Sequence, residues 1–138
     1  MSKNITAGIY AGLFGGSVFG VMMAVGGMFP MISGMMGMDN ALVGFVLHLI
    51  ISAVIGAIFG LALDTMVMQG PGMSLLAGGV YGIVWWVLGP LLIMPLAMGM
   101  PVFQIQAMMG SLFGHIMFGI TMATIYFLLR KLPAHSEE

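Results

Sequence analysis

Charge is nearly absent from this sequence: three Lys or Arg and four Asp or Glu stand among 138 residues, of which 61% are hydrophobic. A water-soluble domain needs a charged surface, so this scarcity excludes one and points to the lipid bilayer as the solvent. Cysteine is missing altogether, which removes disulfides and thiolate metal sites. With so few Lys and Arg there is no basic surface for nucleic acid. Also lacking are a Ser-His-acid constellation, paired carboxylates, a phosphate-binding loop and an HExxH motif, so the chain is not expected to be an enzyme.

The few charges that are present fall at Lys3, Asp39, Asp64, Arg130, Lys131, Glu137 and Glu138, leaving uncharged runs of 35, 24 and 65 residues. A spanning helix takes about 20 mostly apolar residues, so the runs hold one, one and two spans. The expected boundaries are Ala7 to Met28, Ala41 to Leu63, Leu75 to Met94 and Ala107 to Leu129. Pro30 and Gly34, then Gly70-Pro71-Gly72, then Gly99 and Pro101 interrupt helix continuation between them. Asn40, with Asp39, caps the second span, and Asp64 sits at a membrane boundary. Every Lys and Arg flanks the first or last span, which by the positive-inside tendency places both termini in the cytoplasm of a cell inner membrane. The N-terminal segment has one Lys, a long Gly-rich apolar run and no small-residue cleavage pattern, so it reads as a retained span.

The fold class is therefore an all-α membrane protein of four transmembrane helices, arranged as two helical hairpins. Residues 1–138 form one domain, with repeat 1 at about 5–64 and repeat 2 at about 73–131. An offset of 66 places Gly12 on Gly78 and Gly16 on Gly82, and an offset of 67 places His48 on His115. Each copy holds two spans, so the copies share an orientation and predict a pseudo-two-fold axis along the membrane normal.

Residues four apart share a helix face. Gly8, Gly12, Gly16, Gly20 and Ala24 make one small-residue stripe; Gly44, His48, Ser52, Gly56, Gly60 and Asp64 make a second; Ser111, His115, Gly119 and Ala123 make a third. Such stripes are packing faces, because van der Waals fit must hold helices together where lipid is as apolar as leucine. The packing glycines are thus expected to be Gly8, Gly12, Gly16, Gly20, Gly56, Gly60, Gly78, Gly82 and Gly119. An imidazole facing lipid is costly, so His48 and His115 should point inward and face one another, with Ser52 and Ser111 completing an intramembrane polar site. The simplest role for these groups is interhelical hydrogen bonding.

Methionine is the other excess, at 18 residues. Met28, Met31, Met35, Met36, Met38, Met94, Met98, Met100, Met108 and Met109 lie in or beside the first and third connections. Thioethers and imidazoles both ligate soft ions, so Met31, Met35, Met98, His48 and His115 are candidate ligands for copper. Methionine is equally a flexible apolar filler. The same two histidines also satisfy the minimum for axial ligation of a haem. A proton-responsive role is a further option, although Asp64 lies about 24 Å along the helix from His48. Tyr81, Trp85 and Trp86 fall inside the third span, where Pro90 and Pro95 should kink or end the helix.

The segments Leu75-Leu76-Ala77-Gly78, Pro101-Val102-Phe103 and Phe113-Gly114-His115 resemble the YagU family of bacterial inner-membrane proteins. The resemblance covers well under half the chain, and family members are longer and differ in the first hairpin. It implies a polytopic inner-membrane protein linked with acid tolerance and identifies no substrate. The functional expectation is a small transport or permeation protein for protons, a soft metal ion or a small solute. The alternatives are a structural or accessory subunit of a membrane complex and a haem-binding four-helix protein. Besides lipid, the expected partner is a second copy or a membrane-complex subunit meeting the small-residue faces.

Overall fold

The computed structural model describes residues 1–132, which contain helices and no strand; Glu137 and Glu138 lie outside the described residues. The helices are α1 (Ser2–Val25), α2 (Phe29–Ser33), α3 (Ala41–Val67), α4 (Pro71–Leu88), α5 (Met94–Ala97) and α6 (Ile105–Lys131). A single 3-10 turn, Gly34–Met36, follows α2, and a π-wound stretch, Gly89–Ile93, joins α4 to α5. Four continuous helical stretches, Ser2–Val25, Ala41–Val67, Pro71–Ala97 and Ile105–Lys131, are long and apolar enough to cross a membrane. The chain is an integral, multi-pass membrane protein.

Each end has a local cause. α1 stops at Gly26 because Gly27 turns left-handed, with φ of +63°, a conformation that costs glycine little. α3 starts where Asn40 Oδ1 accepts hydrogen bonds from the amides of Leu42 (2.9 Å) and Val43 (3.1 Å). The fully buried Ser33 shapes the connection before it, donating its hydroxyl toward the carbonyls of Pro30 and Met38, both at 2.9 Å, and accepting from the Asn40 amide. α4 opens on Pro71, whose missing N–H costs nothing at a first turn.

The spans run longer than the sequence suggests. α3 continues past Leu63 because Asp64 is paired and not left at the lipid boundary: Arg130 Nε donates to its Oδ1 at 2.8 Å, and the Tyr126 hydroxyl donates to the same oxygen at 2.7 Å. Pro90 and Pro95 do not end the third span. Pro90 has no N–H to donate, and the backbone accommodates it by winding wider over Gly89–Ile93 and then resuming α-geometry.

Glycine decides which helices meet. A Cβ on Gly8 or Gly12 would run into the backbone carbonyls of Gly56 and Ser52, and one on Gly56 into the carbonyl of Gly8, so α1 and α3 lie backbone against backbone. In the second hairpin Gly78 faces the Gly119 carbonyl and Gly82 faces the His115 carbonyl. α1 also packs along α6, where Gly15 lies against Phe118 and Gly114 leaves room for the Phe19 ring. By contrast, α3 and α4 touch little. The glycines Gly8, Gly12, Gly56, Gly78, Gly82 and Gly119 thus pack helices within one chain.

Gly56→Leu should force α1 and α3 apart and cost at least about 1–3 kcal/mol, whereas Gly72→Ala, with nothing within 4 Å of its would-be Cβ, should change stability by less than about 0.5 kcal/mol. Denaturant unfolding in bicelles followed by helical circular dichroism measures both. Equal stability of the two variants would contradict the close approach.

Candidate functional site

The weak contact between α3 and α4 leaves a cavity of about 330 Å³, bordered by the second half of α1, the first connection, the first half of α3, the π-wound stretch and the first half of α6. All of it lies in the half of the bundle remote from the two chain ends. Its wall includes His48, Ser52, Ser111 and His115, together with Phe19, Trp85, Pro90 and Phe118. Met23, Met28, Met31, Met35 and Met94 line it as well. The four predicted polar residues thus converge on one chamber. Met31 and Met35 join them, but Met98 does not; its thioether lies over Gly34.

His48 occupies the slot that Gly16 and Gly20 leave on α1, and its Nε2 donates to the Gly16 carbonyl at 2.8 Å. A carbonyl can only accept, so the proton sits on Nε2 and Nδ1 keeps a lone pair. His115 does the reverse: its Nδ1 donates to the Ser111 carbonyl on its own helix at 2.8 Å, leaving the lone pair on Nε2. Neither free nitrogen is sealed in the interior, since among the described residues the buried side-chain polar atom without a hydrogen-bond partner is Trp85 Nε1. Two imidazole lone pairs and an indole N–H thus belong to residues of one otherwise apolar wall.

The histidines do not meet directly. Phe19 packs against both, edge to face, with ring centroids 5.6 Å from His48 and 4.9 Å from His115. Ser52 donates to the His48 carbonyl at 2.7 Å, and Ser111 donates to the Met108 carbonyl at 2.9 Å while accepting from Trp86 Nε1. The serines position backbone and indole, and their hydroxyl protons are already committed.

Toward the chain ends the bundle is filled. Phe59, Val67, Met122 and Tyr126 are fully buried, with Phe59 edge to face on Tyr81 and Tyr126. Tyr81 donates to the Ile55 carbonyl at 2.8 Å, and Ser74 donates to the Ala123 carbonyl at 3.0 Å. Beyond this layer Asp64, Tyr126 and Arg130 tie α3 to α6. The chamber has a floor.

Several of these residues carry no obvious sign in the sequence. Phe-Gly pairs do not single out Phe19, since of the five in the sequence Phe19, Phe59 and Phe118 are buried but Phe14 and Phe113 are exposed. Nothing in the sequence separates Met23 or Trp85 from a lipid-facing residue.

His48→Ala should remove the partner of the Gly16 carbonyl in a tight helix contact and cost about 1–3 kcal/mol. His115→Ala gives up a bond within its own helix, to a carbonyl already used in the helical ladder, and should cost less. Parallel denaturant titrations give the order, and a larger loss for His115→Ala would contradict the assigned bonds. The chain matches no protein-family model, no curated protein and no solved structure, so its chemistry is read from the chamber alone.

Proposed function

We propose that the protein is a small transporter of the cell inner membrane and that the chamber between α3 and α4 is its cargo site. One observation carries this reading: the cavity is confined to one half of the bundle and floored by a packed aromatic layer. A cargo site closed off toward one side by a packed layer is what alternating access requires of one of its two states. The cargo is small, because 330 Å³ lies at the lower end of ligand-pocket sizes.

Both termini are cytoplasmic in this reading, supported by Lys3, Arg130 and Lys131 at the chain-end side. The chamber then faces outward through the methionine-rich connections, and the Asp64–Arg130 pair lies at the cytoplasmic side. Two parallel repeats are supported by matched contacts: Gly12 meets Ser52 and Gly56, while Gly78 meets Gly119 and Ala123, the positions 67 residues further on. The matching fails at the histidines, which bond to different partners, and between hairpins, where α1 packs closely along α6 but α4 meets α3 only around Tyr81. That asymmetry leaves the unfilled space in one half of the bundle. Kinship with the YagU-like family would fit an inner-membrane location and adds no cargo.

In proteoliposomes, protons followed by a pH-sensitive dye, Cu(I) followed by a trapped chelator and glycerol followed by vesicle swelling test the three cargo classes. At least one should cross faster than in protein-free vesicles, and Ile51→Trp, which fills the chamber, should return that flux to the protein-free rate. No flux of any of the three would overturn the reading, as would flux that Ile51→Trp leaves unchanged.

A further inference from the structure

We propose that the chamber holds a soft monovalent metal ion of the Cu(I) class, with His48 Nδ1 and His115 Nε2 as nitrogen donors and methionine thioethers completing the shell. The inference deepens the transport reading, since it names the cargo of the same chamber, but it concerns binding and stands or falls separately from flux.

The donor set selects the ion. Each imidazole has spent its N–H on a backbone carbonyl, which fixes the tautomer and leaves the other nitrogen as a pure acceptor. Anchoring one ring nitrogen to a carbonyl is also how proteins orient ligating histidines. The same wall includes Met23, Met31, Met35 and Met94 and has no carboxylate and no thiol. Among the described residues no group of three or more His, Cys, Asp or Glu comes together. Hard cations need six or more oxygens, and structural zinc takes four donors drawn from Cys, His and carboxylates, so neither finds its shell here. Thioether and imidazole together suit a soft d10 ion.

The surroundings fit the same ion. Dehydrating a singly charged soft ion into an apolar chamber costs less than dehydrating a divalent one, because the solvation penalty grows with charge. Methionine side chains have three rotatable bonds, so thioethers on this wall can reorient toward a bound ion. The wide π-winding at Gly89–Ile93 brings Met94 to the same wall. A neutral solute would make use of the two lone pairs but gives no reason for so many sulfurs around them.

The test uses silver(I), a redox-inert stand-in for Cu(I), with the purified full-length protein in detergent. Absence of cysteine removes the usual competing ligand. One silver ion per chain should survive desalting, measured by elemental analysis, and Zn(II) should not displace it. His48→Gln keeps a donor for the Gly16 carbonyl but lacks the imidazole lone pair, and it should weaken silver binding at least about tenfold, as should His115→Gln. Met98→Leu, outside the chamber, should leave binding unchanged. Silver-edge X-ray absorption of the unsubstituted protein should show mixed nitrogen and sulfur donors, which needs no variant to fold. No retained silver, retention unaffected in both glutamine variants, or a shell of one donor type would overturn the metal site. Silver retained without any Cu(I) flux in proteoliposomes would uphold the site and remove transport of that ion.

Discussion

The close approach of α1 and α3, with the backbone of Gly8 and Gly12 set against Gly56 and the Ser52 carbonyl, is the contact on which the rest of the molecule depends. In a bilayer, leucine-like side chains gain nothing by turning from lipid to each other, so helices are held where backbones can come within direct contact. Glycine at i and i+4 makes that possible over several turns. The same approach carries His48 into the slot beside Gly16, close enough for its Nε2 to bond a carbonyl of the facing helix. Packing and polar chemistry are therefore one feature here, because the stripe that removes side chains is also what admits an imidazole.

A second consequence is asymmetry. α1 uses one face for α3 and another, around Gly15 and Phe19, for α6, which makes it the helix that joins the hairpins. The corresponding helix of the second hairpin, α4, has its close contact with α6 alone. Near its far end Pro90 forces the backbone into a π-wound stretch, and the space between α4 and α3 is left unfilled. Toward the chain ends Phe59, Tyr81 and Tyr126 fill the equivalent space, and the Asp64–Arg130 pair is satisfied at the edge of the bundle. A chamber at one end and a plug at the other follow from where bulky aromatics and where a proline fall along two otherwise similar hairpins.

Much of this was legible in the sequence because membrane solvent imposes simple rules. Uncharged runs set the number of spans, and the glycine period identified the faces that meet. The inward placement of His48 and His115 followed from the cost of exposing an imidazole to lipid. What could not be read is equally physical. Hydropathy alone ends the second span at Leu63 and starts the third at Leu75, both too short, since a carboxylate paired with Arg130 and a proline in a first turn do not end a helix. Pro90 was expected to kink or end the third span, but hydropathy does not distinguish an end from a π-wound continuation. The separation of the histidines by Phe19 depends on the relative rotation of α1, α3 and α6, which no pattern within a single helix encodes. Met23 and Met94 belong to the chamber for the same reason.

The central claim is that two imidazoles, pinned by carbonyls through opposite ring nitrogens, leave their lone pairs to a common chamber. Nitrogen-15 NMR of histidine-labelled protein in lipid, with His135 replaced to clear the spectrum, reads the tautomer of each ring directly. The account predicts a proton on Nε2 for His48 and on Nδ1 for His115, with both rings in contact with the Phe19 ring. The same tautomer at both positions, or either histidine without contact to Phe19, would contradict it.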